Sequence, residues 1–348
     1  MRGVLRGFLL SSSSVLLTLV GVSGAHADPP EAPPGLARAM EVQERHSDHL
    51  FSRSGIVGIG VDLPTEDAPS IKVFVEEEDL PGLPRFLDEL PVEVVVTGRI
   101  YALRHPCSGP PSRRPDWCRE PTVPVDATVR FVRPVPIGVS TGHPLVTAGT
   151  ICCRVRDSAD VFAMSNNHIF ADTNEASLDD PVLQPGRFDG GRAPQDQIGI
   201  LVDFEPVAFD GSENLIDAAI ALTTLDDLDN ETPSDGYGSP SSRTARPRPG
   251  MRVMKYGRTT GLTRGRIDAI NVTVDVHYPA GVARFVQQIL VAGDEFIAGG
   301  DSGSLLVVDR GKSPRKPVGL LFAGNASFAV ANPIDLVLDR FEVMIDGR

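Results

Sequence analysis

The sequence predicts a mainly β protein. From residue 131 onward, short apolar runs recur with turn residues between them, the pattern of an antiparallel sandwich or barrel. Glycine and proline are abundant, at 34 and 30 of 348 residues, which favours turns. Few stretches read as helix. Hydrophobic residues make up 41% and charged residues 23%, which is globular composition and excludes collagen-like, coiled-coil and wholly disordered chains.

The elements follow in order. Arg2 and Arg6 precede an apolar stretch from Phe8 to Val22, and Ala25-His26-Ala27 supplies small residues before Asp28. Residues 1–27 therefore read as a cleavable secretory signal, too short and too serine-rich to serve as a membrane anchor. The chain is expected to be secreted or periplasmic, without a stable membrane anchor. Residues 28–103 read as a small α+β domain with a possible pro or regulatory role. It opens with a proline-rich stretch and a polar helix over 36–50. Strands follow at Gly55–Val61, Ile71–Glu76 and Val92–Leu103, with a short helix over Leu80–Leu90. Residues 104–130 form a Pro/Arg-rich linker, and Arg113, Arg114 and Arg119 are candidate processing sites.

Residues 131–348 carry the β domain. Its strand-like runs are 146–153, 161–164, 198–204, 218–222, 252–256, 266–276, 285–290, 304–308 and 318–322. Residues 234–248 are rich in Ser, Gly, Pro and Arg and join two β halves. Asn332-Pro333 reads as a helix cap with proline in the first turn. Ile334, Val337, Leu338 and Phe341 then repeat at helical spacing.

Charge and cysteine usage narrow the function. A formal charge of −13 argues against nucleic acid as a partner. Export permits disulfides, and Cys107 with Cys118 flank a proline-rich loop that suits a local bridge. Cys152 and Cys153 are adjacent in an apolar run, and spacing alone does not select among the pairings of four cysteines. No Cys-x-x-Cys occurs, and the histidines lack metal-ligand company, so neither a metal nor a cofactor is expected. The acidic run 226–231 lacks the glycine and spacing of a calcium loop.

Three segments carry chemistry. Gly299-Gly300-Asp301-Ser302-Gly303-Ser304 sets a serine among glycines, which alone would be only a turn. His168 follows Ser165-Asn166-Asn167 at the end of an apolar run. Asp217 is a single acid opening the apolar run Ala218–Leu222. A serine hydroxyl is a weak nucleophile until a base takes its proton, and the base needs an acid to hold its tautomer. The chain order His, Asp, Ser differs from the Asp-His-Ser of subtilisin and the Ser-Asp-His of α/β-hydrolases. The glycine that those hydrolases need two residues after the nucleophile is Ser304 here.

On these segments, residues 134–348 resemble the chymotrypsin-like (trypsin-like) serine peptidases, in particular exported bacterial-type and NARROW LEAF-like members. The segment 255–265, KYGRTTGLTRG, resembles a hairpin of the bacterial members. The resemblance implies a double antiparallel β-barrel with His168 as base, Asp217 as its orienting acid and Ser302 as nucleophile. It further implies an oxyanion hole from the backbone N–H groups of Gly300 and Ser302, with Gly299, Gly300 and Gly303 supplying tolerance of positive φ. Asp301 is expected to order that loop through a partner the sequence does not identify. The primary pocket would have Phe296 at its base and Phe322, Ala323 and Gly324 along a wall. With no acid at its base, the pocket is apolar. The Asn166-Asn167 pair replaces the family's usual small residues before the histidine. The function implied is a secreted serine endopeptidase acting on protein or peptide substrates through an acyl-enzyme. The alternatives are an inactive binding or regulatory protein on the same fold, and an esterase using the same triad.

Overall fold

The computed structural model describes residues 35–65, 68–78, 80–102, 125–310, 314–325 and 327–348. The expected signal segment 1–27, Cys107, Cys118 and Arg113, Arg114 and Arg119 of the expected linker lie outside them. The fold is mainly β, a double and mostly antiparallel β-barrel with helices only at its margins. Among the described residues, no helix is long and apolar enough to cross a membrane.

The first barrel is a six-stranded antiparallel sheet. Its strands, in spatial order, are Pro181–Leu183, Gln197–Phe204, Ala219–Thr223, Val161–Ser165, Cys153–Arg156 and Met344–Ile345. Val161–Ser165 has a neighbour on each side, and all but its first residue is buried. Its run of apolar side chains therefore shows little alternation. Cys152 and Cys153 are buried free thiols in this barrel's core. Burial, with Cys153 beside it, pushes the Cys152 thiol well up.

The second sheet is built on two long strands, Gly261–Tyr278 and Gly281–Ala292, joined by a tight turn. Arg252–Gly257, Leu305–Val308 and Pro317–Gly324, which the apolar runs suggested, complete the barrel together with Phe328–Pro333, which they did not. Residues 224–251 carry no strand or helix between the barrels. The closing helix, Ile334–Phe341, buries Ile334, Val337, Leu338 and Phe341, the four residues picked out by periodicity.

The N-terminal part is continuous with this second sheet. Ile56–Thr65 pairs antiparallel with Gly261–Tyr278, Gly58 opposite Val274, and with Ala68–Val75 on its other side. Leu90–Val96 then runs parallel to Ala68–Val75, Ile71 opposite Val92. The helix Leu36–Phe51 closes over them. Its Leu36, Ala39, Val42 and Leu50 share one core with Ile59, Ile71, Ile289, Phe296 and Leu321. Gln43 on its buried face donates to Thr273 Oγ1 at 3.3 Å and accepts from Asn271 Nδ2 at 2.5 Å. That bond buries the Asn271 amide, so the Asn271-Val272-Thr273 sequon offers no open nitrogen for a glycan.

Three local expectations are corrected. Residues 80–90 hold turns and the short strand Phe86–Leu87, which pairs with Leu90–Val96, and no helix. Pro81 and Pro84 remove amide donors, and Gly82 takes a positive φ of 76°. The run from Val92 onward is two strands, broken at Gly98, whose φ of 67° turns the chain. Its second half, Ile100–Ala102, crosses to other partners. Asn332 does not cap the last helix: Pro333 stands at the cap without a side-chain bond, and Asn332 lies within the strand Phe328–Pro333, paired with Leu320.

Candidate active site

Register brings His168 and Asp217 together. Val161–Ser165 and Ala219–Thr223 are antiparallel neighbours, with Ser165 opposite Ala219. His168, in the single turn Asn167–Phe170, lies just past the end of one strand. Asp217 lies just before the start of the other. His168 Nδ1 meets Asp217 Oδ2 at 2.6 Å, and the His168 amide donates to Oδ1 at 3.2 Å. Both side chains are fully buried. His168 Nε2 is buried without a hydrogen-bond partner.

The two asparagines before the histidine build this corner. Asn166 Nδ2 donates to the Asp217 carbonyl at 2.8 Å. Asn167 Nδ2 donates to the Glu205 carbonyl at 2.7 Å and to Asn174 Oδ1 at 2.7 Å. Asn332 reaches across from the second barrel. Its Oδ1 accepts from the Asp217 amide and its Nδ2 donates to the Asp217 carbonyl, each at 3.2 Å. The Asp217 backbone is thus fixed from both barrels. Tyr278 adds a hydroxyl that donates to Asp217 Oδ2 at 2.7 Å.

Ser302 comes from the second barrel. Leu305–Val308 pairs with Pro317–Gly324, Leu305 opposite Leu320, so the loop before the first strand meets the residues after Leu320. The Gly303 amide donates to the Leu321 carbonyl at 2.8 Å, and Ser302 Oγ donates to the Phe322 carbonyl at 3.2 Å. Gly300 and Gly303 take positive φ, 102° and 96°, as expected, whereas Gly299 is not in that region. A Cβ on Gly303 would stand 2.0 Å from the Thr150 carbonyl oxygen, so no side chain fits there.

The hairpin Arg252–Gly257 to Gly261–Tyr278 holds this loop from behind. Thr259 Oγ1 donates to the Gly299 carbonyl at 2.7 Å, and Thr150 Oγ1 donates to the Gly300 carbonyl at 2.8 Å. In a trans peptide the N–H points opposite to the carbonyl. Drawing the Gly299 oxygen toward Thr259 therefore turns the Gly300 amide the other way. Lys255 is the partner of Asp301, with Nζ 3.2 Å from Oδ2 and both side chains fully buried. The amides of Thr259, Thr260 and Ala298 and the Thr260 hydroxyl also donate to the Asp301 carboxylate. Burial alone would push that carboxyl up, but Lys255 and these donors hold it below its ordinary range.

A pH dependence follows. A carboxyl with a lowered folded pKa contributes stability that is complete above its unfolded value, about 3.9, and is lost as pH falls through the folded value. Urea midpoints of wild type and Asp301→Asn should be far apart at pH 6 and converge as pH drops below about 4. A gap independent of pH would contradict a charged Asp301.

The expected pocket residues are all buried. Phe296 lies in the core shared with the N-terminal helix, and its carbonyl accepts from Thr263 Oγ1 at 2.7 Å. Phe322 and Ala323 lie in a different cluster, where the Phe322 ring sits 4.7 Å from that of Phe285. Ile297 Cδ1 comes within 2.4 Å of where a Cβ on Gly324 would stand. A cavity of about 430 Å³ opens elsewhere on the first barrel, beside Asp160, Gln197, Leu222 and Asp227. No group of side chains among the described residues could hold a metal ion.

One neighbour of the site has no counterpart in the sequence reading. Ile100–Ala102 runs antiparallel to the end of Pro317–Gly324, Ala102 opposite Ala323 and Tyr101 opposite Gly324. On its other side it runs parallel to Val276 and His277. It therefore occupies the strand edge one residue beyond Phe322, whose carbonyl contacts Ser302.

The Nal1 C-terminal domain family model matches residues 248–331. No curated protein matches the chain. Among solved structures, Thermobifida fusca Protease A is 17% identical and aligns over 62% of this chain and 100% of its own, with a TM-score of 0.44. A glutamic-acid-specific serine protease is 21% identical over 61% of this chain and 100% of its own, also at 0.44. Nocardiopsis Protease is 19% identical over 61% and 99%, at 0.43. The structures to which this chain is similar are thus chymotrypsin-like serine proteases, at low identity.

Proposed function

We propose that this chain is an exported serine endopeptidase in a closed form. The observation that carries the reading is the His168 imidazole, held by Asp217 at 2.6 Å with its Nε2 buried and unpartnered. With its proton on Nδ1 and donated to Asp217 Oδ2, the imidazole offers a lone pair at Nε2. Ser302 Oγ attacks the peptide carbonyl carbon and gives its proton to His168 Nε2. The oxygen that becomes negative is met by the amides of Gly300 and Ser302, where one donor contributes about 3–4 kcal/mol to the transition state. His168 then returns the proton to the leaving amine as the C–N bond breaks. Water, deprotonated by His168, cleaves the acyl ester and restores Ser302. Asp217 stays ionised throughout and stabilises the imidazolium. Phe296, Phe322, Ala323 and Gly324 make an apolar wall for the substrate side chain. Strong preference for arginine in a fluorogenic peptide library would contradict that pocket.

The form described is closed because His168, Asp217 and Ser302 are all fully buried. An extended peptide adds to a sheet through a free strand edge, and Ile100–Ala102 takes the edge at Ala323–Gly324. The N-terminal part thus acts as a built-in inhibitor. Deleting it would strip strands and core residues from the second sheet, so a point variant is the better probe. Tyr101→Pro removes an amide from the middle of the strap while Ile100 and Ala102, the two buried side chains, remain. It should raise the rate of covalent labelling by a fluorophosphonate at least severalfold over wild type. An unchanged rate with an intact fold would remove Ile100–Ala102 as the inhibitor.

The same burial favours a second reading, a regulatory protein that keeps the fold and performs no hydrolysis. Failure of the Tyr101→Pro variant to label at Ser302 would select it.

A further inference from the structure

We infer that Tyr278 is a positioning residue for the triad, orienting the imidazole of His168 through Asp217. The inference rests on the triad reading above. The Asp217 carboxylate is fully buried, and a buried charge is tolerated only where donors satisfy it. Its Oδ1 accepts the His168 amide at 3.2 Å. Its Oδ2, the oxygen that holds His168 Nδ1 at 2.6 Å, also accepts the Tyr278 hydroxyl at 2.7 Å. The two bonds converge on one oxygen, so the direction of the tyrosine hydroxyl sets where that oxygen stands.

The hydroxyl is held rigidly. The Tyr278 ring meets that of His168 edge to face, at 5.9 Å and 75°. Phe209 packs on it at 5.5 Å and 79°, and Phe285 at 6.2 Å. Its backbone ends the long strand Gly261–Tyr278, where Tyr278 pairs with Gly281 across the turn. The preceding residues, Val276 and His277, are the ones that pair with Ile100 and Tyr101. Tyr278 is thus carried by the strand end to which the strap is fastened.

The donor comes from the end of the long strand Gly261–Tyr278. A donor on Oδ2 draws negative charge away from the imidazole. Without it, more of the carboxylate charge faces His168 and favours its protonated form, which cannot act as base.

Tyr278→Phe tests this, because it keeps the ring contacts and removes one oxygen. Fluorophosphonate labelling is measured against probe concentration and pH, with Tyr101→Pro as the common background. The maximal labelling rate should fall roughly 10-fold, the effect of one hydrogen bond to a charged group, with the half-saturating probe concentration unchanged. The acidic limb of the rate–pH profile should move to higher pH. A second readout needs no activity. The low-field proton NMR signal of the His168 Nδ1–H, identified by its absence in His168→Ala, should shift in Tyr278→Phe. An unchanged maximal rate with an unmoved NMR signal overturns the inference. So does a rate loss with an unmoved acidic limb and a lowered melting temperature, the signature of a merely structural role. If the Tyr101→Pro background itself does not label, the peptidase reading fails. The NMR shift alone then decides whether Tyr278 orients the histidine.

Discussion

Ser302→Ala is expected to abolish covalent labelling, and His168→Ala to reduce it by about 10⁴-fold or more in any form that labels. Triad members act as a unit, so removing either nucleophile or base costs nearly the whole of what the three supply together. The geometry gives each loss a separate cause. Without Ser302 Oγ there is no atom to bond to the probe. Without His168 there is no imidazole to accept the hydroxyl proton. Intact-mass measurement of the labelled adduct and its rate checks both. Ser302→Ala should keep the wild-type melting temperature to within a few degrees, whereas His168→Ala takes a donor from the buried Asp217 carboxylate and should lower it.

The second large effect lies behind that loop. Lys255→Met should destabilise the protein by about 3–5 kcal/mol, because it leaves the Asp301 carboxylate buried without its counter-ion. The melting temperature should fall by on the order of 10 °C. Labelling should fall as well, because Asp301 ties the amides of Ala298, Thr259 and Thr260 to the residue next to Ser302. Replacing both charges, as in Lys255→Met with Asp301→Leu, should not restore stability. Those three amides and the Thr260 hydroxyl would lose their acceptor. Thermal melts of the single and double variants decide between a charge pair and a wider network. Full recovery in the double variant would reduce the site to a simple ion pair.

What the sequence made legible was local. The runs at 161–164, 198–204 and 252–256 became strands because apolar patterning and turn residues act over a few positions. The glycine at 303 declared itself, since only a residue without Cβ fits against the Thr150 carbonyl. The His, Asp, Ser order picked out three candidate residues, and the pairing of Ser165 with Ala219 brings His168 and Asp217 together.

What stayed hidden was long-range. Lys255 stands in a motif that drew notice, yet nothing adjacent tied it to Asp301, 46 residues on. Tyr278 read as the end of a strand, and its hydroxyl acquires meaning only beside Asp217, 61 residues away. Asn332 before Pro333 had the local signature of a helix cap. Its amide found stronger use between Asp217 and the Leu320 carbonyl, and tertiary contacts overrode the local preference. Val92–Leu103 looked like one strand because its composition is uniform, and only the backbone of Gly98 divides it. That division sends Ile100–Ala102 to the strand end beside Phe322 and Ser302, a contact of the N-terminal part that had no sequence signal.

The most direct test of the account is the site and rate of fluorophosphonate attachment, read by peptide mass spectrometry on wild type, Tyr101→Pro and Ser302→Ala. The account predicts slow attachment at Ser302 in wild type, faster attachment at the same residue in Tyr101→Pro, and none in Ser302→Ala. Attachment elsewhere, or none in a folded Tyr101→Pro protein, would contradict it.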